Sequence, residues 1–275
     1  MAREKVLITV TTYPLPSRSY DELVCTAGIL ENGDWIRIYP VPLSFLFDLK
    51  GSGKIKKIKY TWIELDLIKR TDDFRPESHS PLNYDFKDII IGETIGTEGN
   101  WSLRKELCLT NVYTNKSKLL EDSKAPKNIS LATFKPAEIF GLDIEEDKRE
   151  WKDVWLELRK QSDLFATIKP IEKLIPKLPY KFYYRFTDDS GDVSRLMIED
   201  WEIGALYWNC LRNAGGDDTL ALDKVREQYE ANFIHYKDIF LFLGTTKEWH
   251  RRRATNPFVI TGVFYPKIKF QNSLF

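Results

Sequence analysis

Apolar residues recur with a period of two along most of this chain and change to a helical period in a few bounded stretches. Residues 5–11 (KVLITVT), 23–30 and 35–39 read as three strands, the last two joined at Asn32-Gly33 and the third ended by Pro40. Alternation along the third puts Ile36 and Ile38 on one face and Trp35, Arg37 and Tyr39 on the other. The apolar pair is expected to face inward, leaving an aromatic-cation-aromatic row outside. In residues 60–69 (YTWIELDLIK), Ile63, Leu65 and Leu67 share the core face, opposite Tyr60, Trp62, Glu64 and Asp66. Further strands are predicted at 88–95, 129–134, 139–144, 180–186, 193–198, 239–243 and 258–265, the pair at 180–198 joined by a DDSG turn.

The helical stretches are fewer. Residues 200–212 carry Ile203, Leu206, Tyr207, Cys210 and Leu211 at core spacing, with Asp200 placed to cap. A second stripe on that helix, Trp201, Ala205, Trp208 and Arg212, suits a core or domain interface, or a surface for a protein partner. Trp151, Val154, Trp155 and Leu158 mark another helix, which leads into a Pro-rich segment with Pro170, Pro176 and Pro179. Shorter helices are expected near 43–49, 100–108 and 117–123, and a longer one at 219–232. The pattern predicts an α+β protein of two β-barrel-like units joined and covered by helices. Residues 1–145 form the first unit, 146–179 a helix and Pro-rich connector, and 180–275 a C-terminal α+β domain.

Composition narrows the function classes. Lys+Arg and Asp+Glu are both 41 in 275 residues, so any contact with nucleic acid must come from a local patch. Aromatic residues make up 13% of the chain, which supplies π-faces beyond ordinary core needs. The 3 cysteines are scattered, without a CxxC or Cys/His cluster, so neither a disulfide framework nor a zinc site is indicated. No apolar run approaches the roughly 18 residues of a membrane span, and the N-terminus lacks a signal-peptide core. The expectation is a cytoplasmic protein without a membrane partner.

The most cationic stretch lies between the last two strands: Lys247, Trp249, His250, Arg251, Arg252 and Arg253. It reads either as an anion-facing loop on a rigid scaffold or as a solvated basic turn. With the Trp35/Arg37/Tyr39 row, a parallel Lys181/Tyr183/Arg185 row and Arg75, it points toward single-stranded nucleic acid or a nucleotide. Aromatic faces stack bases, and guanidinium groups pair with phosphates. Equally, Tyr/Arg pairs stabilise sheets and are often covered by a second layer. The enzyme alternative is a metal-dependent nuclease or hydrolase centred on Glu64 and Asp66, although Lys69 has the wrong parity to complete an ExDxxK site. Glu77, Ser78 and His79 cluster beside Arg75 without forming a triad, and the arginines around His250 are expected to disfavour its protonated form. The chain has no Walker A, GxGxxG or HExxH motif, so no catalytic residue, metal ligand or cofactor is assigned.

Two stretches, GDWIRIYPVP after a strand ending VCTAGI, and LFLGTTKEWH followed by NPFVITGVFYP, resemble motifs of uncharacterised bacterial proteins described as containing a dual OB domain. The resemblance implies OB-like barrels with Trp35, Arg37, Trp249 and His250 at motif positions, and a nucleic-acid-binding role in a bacterial defence setting. It carries over no catalytic residue.

Overall fold

The strand at the N-terminus, β1 (Ala2–Thr11), is bent so that it can pair on both edges, and the first unit closes around it. This computed structural model describes residues 2–16, 22–51, 57–151 and 175–268. A short β2 (Leu15–Pro16) lies against β3 (Glu22–Leu30), which is followed by β4 (Trp35–Pro42), α1 (Leu43–Gly51), β5 (Thr61–Lys69) and β6 (Ser78–Pro81). The hydrogen-bonded order is β1-β3-β4-β6-β5, with β5 returning to β1, and the β4–β6 pair is parallel. That is a closed five-stranded, OB-like barrel, with β7 (Ile90–Thr94) added outside on β5. A register shift between Ile8 and Val10 supplies the bend in β1, as a bulge does where a strand must change neighbours. Gly28 sits where β3 crosses the bend: a Cβ there would meet the Leu7 carbonyl oxygen at 2.3 Å.

The second unit repeats this connectivity. After α2 (Glu98–Cys108), β8 (Val112–Tyr113) and α3 (Lys116–Asp122), the chain forms β9 (Leu131–Phe134) and β10 (Glu138–Glu146). These act as one bent strand interrupted around Pro136, which has no N–H to donate. Next come β11 (Tyr180–Thr187), β12 (Val193–Met197), α4 (Trp201–Asn213), α5 (Asp218–Arg226), α6 (Phe233–Tyr236), β13 (Phe240–Thr245), α7 (Lys247–Arg251) and β14 (Phe258–Phe264). β10 pairs with β11 and β11 with β12; β14 pairs with β13 and β13 with β9. A parallel bridge from Ile198 to Ile260 joins the two sheets at the position of the parallel pair in the first unit. The sequence places residues 1–145 in one unit, but β9 and β10 pair with strands of the C-terminal half. The helix expected around Trp155 falls mostly outside the described residues.

Each barrel has its own core. Val6, Ile8, Ile36, Ile38, Ile63, Leu65 and Leu67 fill the first, the last five as the alternation predicts. Leu142, Phe182, Tyr184, Phe186, Leu241 and Ile260 fill the second, and Ile203 and Tyr207 of α4 pack onto it. Asp200 caps α4 by accepting from the Glu202 N–H at 3.1 Å. A third cluster lies between the barrels, where Leu7, Val10, Ala27, Ile29 and Trp62 of the first meet Leu131, Phe242 and Phe264 of the second. Part of the outer face of the first barrel is thus buried as a core of its own. At about 25 cal/mol per Å² of apolar area, such burial favours two barrels fixed against each other over two beads on a tether. The Trp201/Trp208 stripe turns toward this junction. Trp201 stacks on Tyr13 at 5.8 Å, Trp208 donates to the Tyr13 hydroxyl at 2.8 Å, and Gly204 leaves room for the Tyr13 ring.

Candidate nucleic-acid interface

β4 delivers Trp35, Arg37 and Tyr39 to one face of the first barrel, as alternation requires, but the three meet different surroundings. Trp35 is half-buried and packs edge-on against Phe242 at 5.2 Å. Arg37 is 3% exposed and donates to Ser78 Oγ at 3.2 Å, Ser130 Oγ at 2.8 Å and the Ser130 carbonyl at 3.2 Å. Burial draws its pKa downward. Only Tyr39 is open, at 38% exposure, with the Arg70 guanidinium 5.6 Å from its ring. The expected outward row is therefore corrected: Arg37 is an interior residue that ties the barrels together, because the second barrel covers the middle of the face.

Arg75 and His250 are interior as well. Arg75 grips Asp73 at 2.9 and 2.6 Å and donates to the Thr245 carbonyl of the second barrel at 2.6 Å. Burial raises the Asp73 carboxyl, but hydrogen bonds and charge from Arg75 outweigh it and hold the group well below the ordinary carboxylate range. Glu77 accepts from the Ser130 N–H at 2.8 Å and the Ser130 hydroxyl at 2.7 Å. His250 Nε2 meets the Ser123 carbonyl at 2.6 Å and Nδ1 meets Thr245 Oγ1 at 3.0 Å. Its pKa is lowered mainly by burial, with Arg75 and Arg37 adding to the effect, so the arginines adjacent in sequence are not the cause. Sequence reading missed Ser130 and Thr245 because they lie 93 and 208 positions from Arg37; it also missed Asp73, although that residue stands only two positions before Arg75.

What remains open is built from two loops at equivalent positions in the two barrels: residues 70–77 between β5 and β6, and 246–257 between β13 and β14. Lys69 ties down the first by donating to the Arg75, Pro76 and Ser78 carbonyls at 2.6, 2.8 and 3.2 Å. In the second, Thr246 caps α7 by accepting from the Trp249 N–H at 3.2 Å. The loops touch through the Lys247–Asp72 ion pair at 3.2 Å and the Phe74–His250 ring contact at 5.0 Å. Trp249 is 59% and Phe74 44% exposed. Arg251, Arg252 and Arg253 are all exposed; Arg252 pairs with Glu248 at 2.7 Å, whereas Arg251 and Arg253 have no ion-pair partner among the described residues. Arg70 and Lys247 hold Asp72 well below the usual carboxylate range. One continuous surface thus carries three open aromatic rings and five cations against two carboxylates.

Arg253 occupies a costly backbone position. The Arg253 N–H reaches the His250 carbonyl and the Ala254 N–H the Trp249 carbonyl, the hydrogen-bond pattern that ends helices with a left-handed residue, and Arg253 has φ of 53°. Glycine is the usual residue there.

The other predicted row lies on the outer face of the second barrel. Lys181, Tyr183 and Arg185 alternate with the buried Phe182, Tyr184 and Phe186. Arg195 stacks on Tyr183 at 3.7 Å, and Arg185 lies 5.4 Å from the Phe140 ring. Asp143 takes both arginines, at 2.9 and 2.8 Å, and Glu145 adds a second bond to Arg195 at 2.6 Å. The face is aromatic and open, but its charges are largely paired. The nuclease constellation is not assembled either: Glu64 and Asp66 flank Arg3 at 3.9 and 3.5 Å, and Lys69 is committed to the loop carbonyls. Among the described residues, no group of His, Cys, Asp or Glu is arranged to hold a metal ion, and no helix is long and apolar enough to cross a membrane.

The fold and this surface define an α+β protein of two OB-like barrels that presents paired loops. The chain belongs to the family described as Domain of unknown function (DUF8757), whose model matches residues 112–275; residues 2–110 match Domain of unknown function (DUF8758). The two matches meet between α2 and β8. No curated protein matches the chain. A solved structure of a murine DNA binding protein bound with double-stranded DNA aligns over 100% of each chain, with 9% identity and a TM-score of 0.31.

Proposed function

We propose that the protein binds single-stranded nucleic acid on the surface formed by the two β-strand-connecting loops, with Tyr39, Phe74 and Trp249 stacking bases and Arg251 and Arg253 pairing with phosphates. The observation that carries this reading is Trp249, 59% exposed beside two exposed arginines without ion-pair partners among the described residues. Large exposed aromatics next to uncommitted guanidinium groups cost solubility and are usual where planar, anionic ligands dock. Splayed single strands offer the free base faces that such rings need, whereas intact duplex does not. The loop between the last two strands is also one that OB-type barrels use for oligonucleotides.

The test is fluorescence anisotropy of a labelled 12-mer against salt concentration. Each phosphate neutralised contributes about −0.7 to the log–log salt slope for single strands, so Arg251→Ala/Arg253→Ala should flatten the slope by about 1.4. An unchanged slope removes the loop from the interface. A bacterial defence role rests on the dual-OB resemblance alone, and is tested by phage plaque counts on cells with and without the gene.

A further inference from the structure

A cleft of about 620 Å³ opens between the barrels, along the interface from the loop surface. Trp35 lines it and Tyr39 does not; four residues of strand separate them by roughly 13 Å, with the buried Arg37 between. The volume suits a small planar ligand, and a junction between domains is a common place for one. Trp35, half-buried against Phe242, forms an aromatic wall. His79 is held by its Nδ1, 2.9 Å from the Glu77 carbonyl; that oxygen accepts, so in the neutral ring Nδ1 donates and Nε2 is the acceptor. The exposed Asn111 amide also lines the cleft, and neither it nor Nε2 has a hydrogen-bond partner among the described residues. The charged residues in the wall are Glu4, Asp34 and Glu77, with no lysine or arginine; the Glu77 carboxylate is turned to Ser130, so Glu4 and Asp34 supply the carboxylates left for a ligand.

We infer that this cleft binds an amino-bearing nucleobase or nucleoside, stacked on Trp35, with its N–H groups facing His79 Nε2, the Asn111 amide and the acidic wall. An acceptor imidazole and carboxylates favour a heterocycle rich in N–H donors, so adenine, cytosine and guanine fit better than uracil, which has two carbonyls. The same carboxylates oppose a phosphate, which distinguishes this site from the phosphate-seeking loop surface and makes the two separable.

The experiment is isothermal titration of the full chain with adenosine, cytidine, guanosine and uridine, and with the 5′-monophosphate of the tightest. One-to-one binding of an amino-bearing nucleoside is expected, with the monophosphate at least threefold weaker. Asn111→Ala changes an exposed side chain and should weaken binding about fivefold, the loss of one hydrogen bond. Trp35→Leu should weaken it about tenfold or more through lost stacking, with circular dichroism confirming the fold. Arg251→Ala/Arg253→Ala should leave nucleoside binding intact, so failure of the loop reading and failure of this one are distinguishable. The inference is overturned by absence of saturable nucleoside binding to the unaltered protein, by a monophosphate that binds more tightly, or by binding indifferent to both Asn111→Ala and Trp35→Leu.

Discussion

Replacing Glu77 with leucine tests whether the polar junction holds the barrels together. The carboxylate accepts from the Ser130 N–H at 2.8 Å and the Ser130 hydroxyl at 2.7 Å, with a longer contact to the Leu131 N–H at 3.4 Å. Ser130 is fully buried, so water cannot take over. Two short bonds to a charged acceptor contribute about 1.5–3 kcal/mol each, and an orphaned buried N–H costs about 1–3 kcal/mol. Relief of a buried carboxylate's desolvation offsets part of this. Arg37 meanwhile loses a compensating charge, so the net loss should be about 4 kcal/mol. Urea unfolding followed by tryptophan fluorescence should show the midpoint falling by about 1.3 M at an m-value of about 3 kcal/mol/M. A double-mutant cycle with Ser130→Ala should give a coupling energy of about 1–3 kcal/mol. A loss under about 1.5 kcal/mol together with negligible coupling would mean that the junction is hydrated, and would refute the lock.

Arg253→Gly relieves the left-handed strain at φ of 53° while removing a phosphate partner. It should stabilise the fold by about 1 kcal/mol, or about 2–4 °C in Tm, and weaken oligonucleotide binding, a split that scanning calorimetry and anisotropy read separately. Trp249→Ala should weaken binding of a labelled oligonucleotide by about 1–3 kcal/mol with a stability change within about 0.5 kcal/mol; a large stability loss would show that the ring is structural. His250 has a folded pKa below its unfolded value of about 6.5, so the unfolded chain takes the proton first. Its contribution is complete above that pH and is lost as pH falls through the window beneath it. Urea midpoints between about pH 7.5 and 5 should therefore decline less steeply in His250→Gln than in the unaltered protein.

Local pattern determined a good deal. Alternation assigned Ile36, Ile38, Ile63, Leu65 and Leu67 to the first barrel's interior, and the helical stripe with Asp200 at its head located α4. Turn chemistry at Asn32-Gly33 and Pro40 bounded β4 to within a few residues. These features are legible because side-chain direction and capping depend on neighbours a few positions away. Two barrel-like units were also expected from the pattern, but their common strand order and the start of the second unit before residue 145 were not legible, since two units can share strand order while sharing no residue period.

The fate of each outward residue was decided only by the tertiary structure. Trp35, Arg37 and Tyr39 obey one alternation, yet Phe242 covers the first, Ser130 and Thr245 hold the second, and the third meets solvent beside Arg70. Periodicity says which side chains share a face; what lies across that face comes from residues some 90 to 210 positions away, such as Ser130 and Thr245. The same physics separates the basic run, where one turn of α7 sends His250 inward to Ser123 and leaves Trp249 and Arg251 outside.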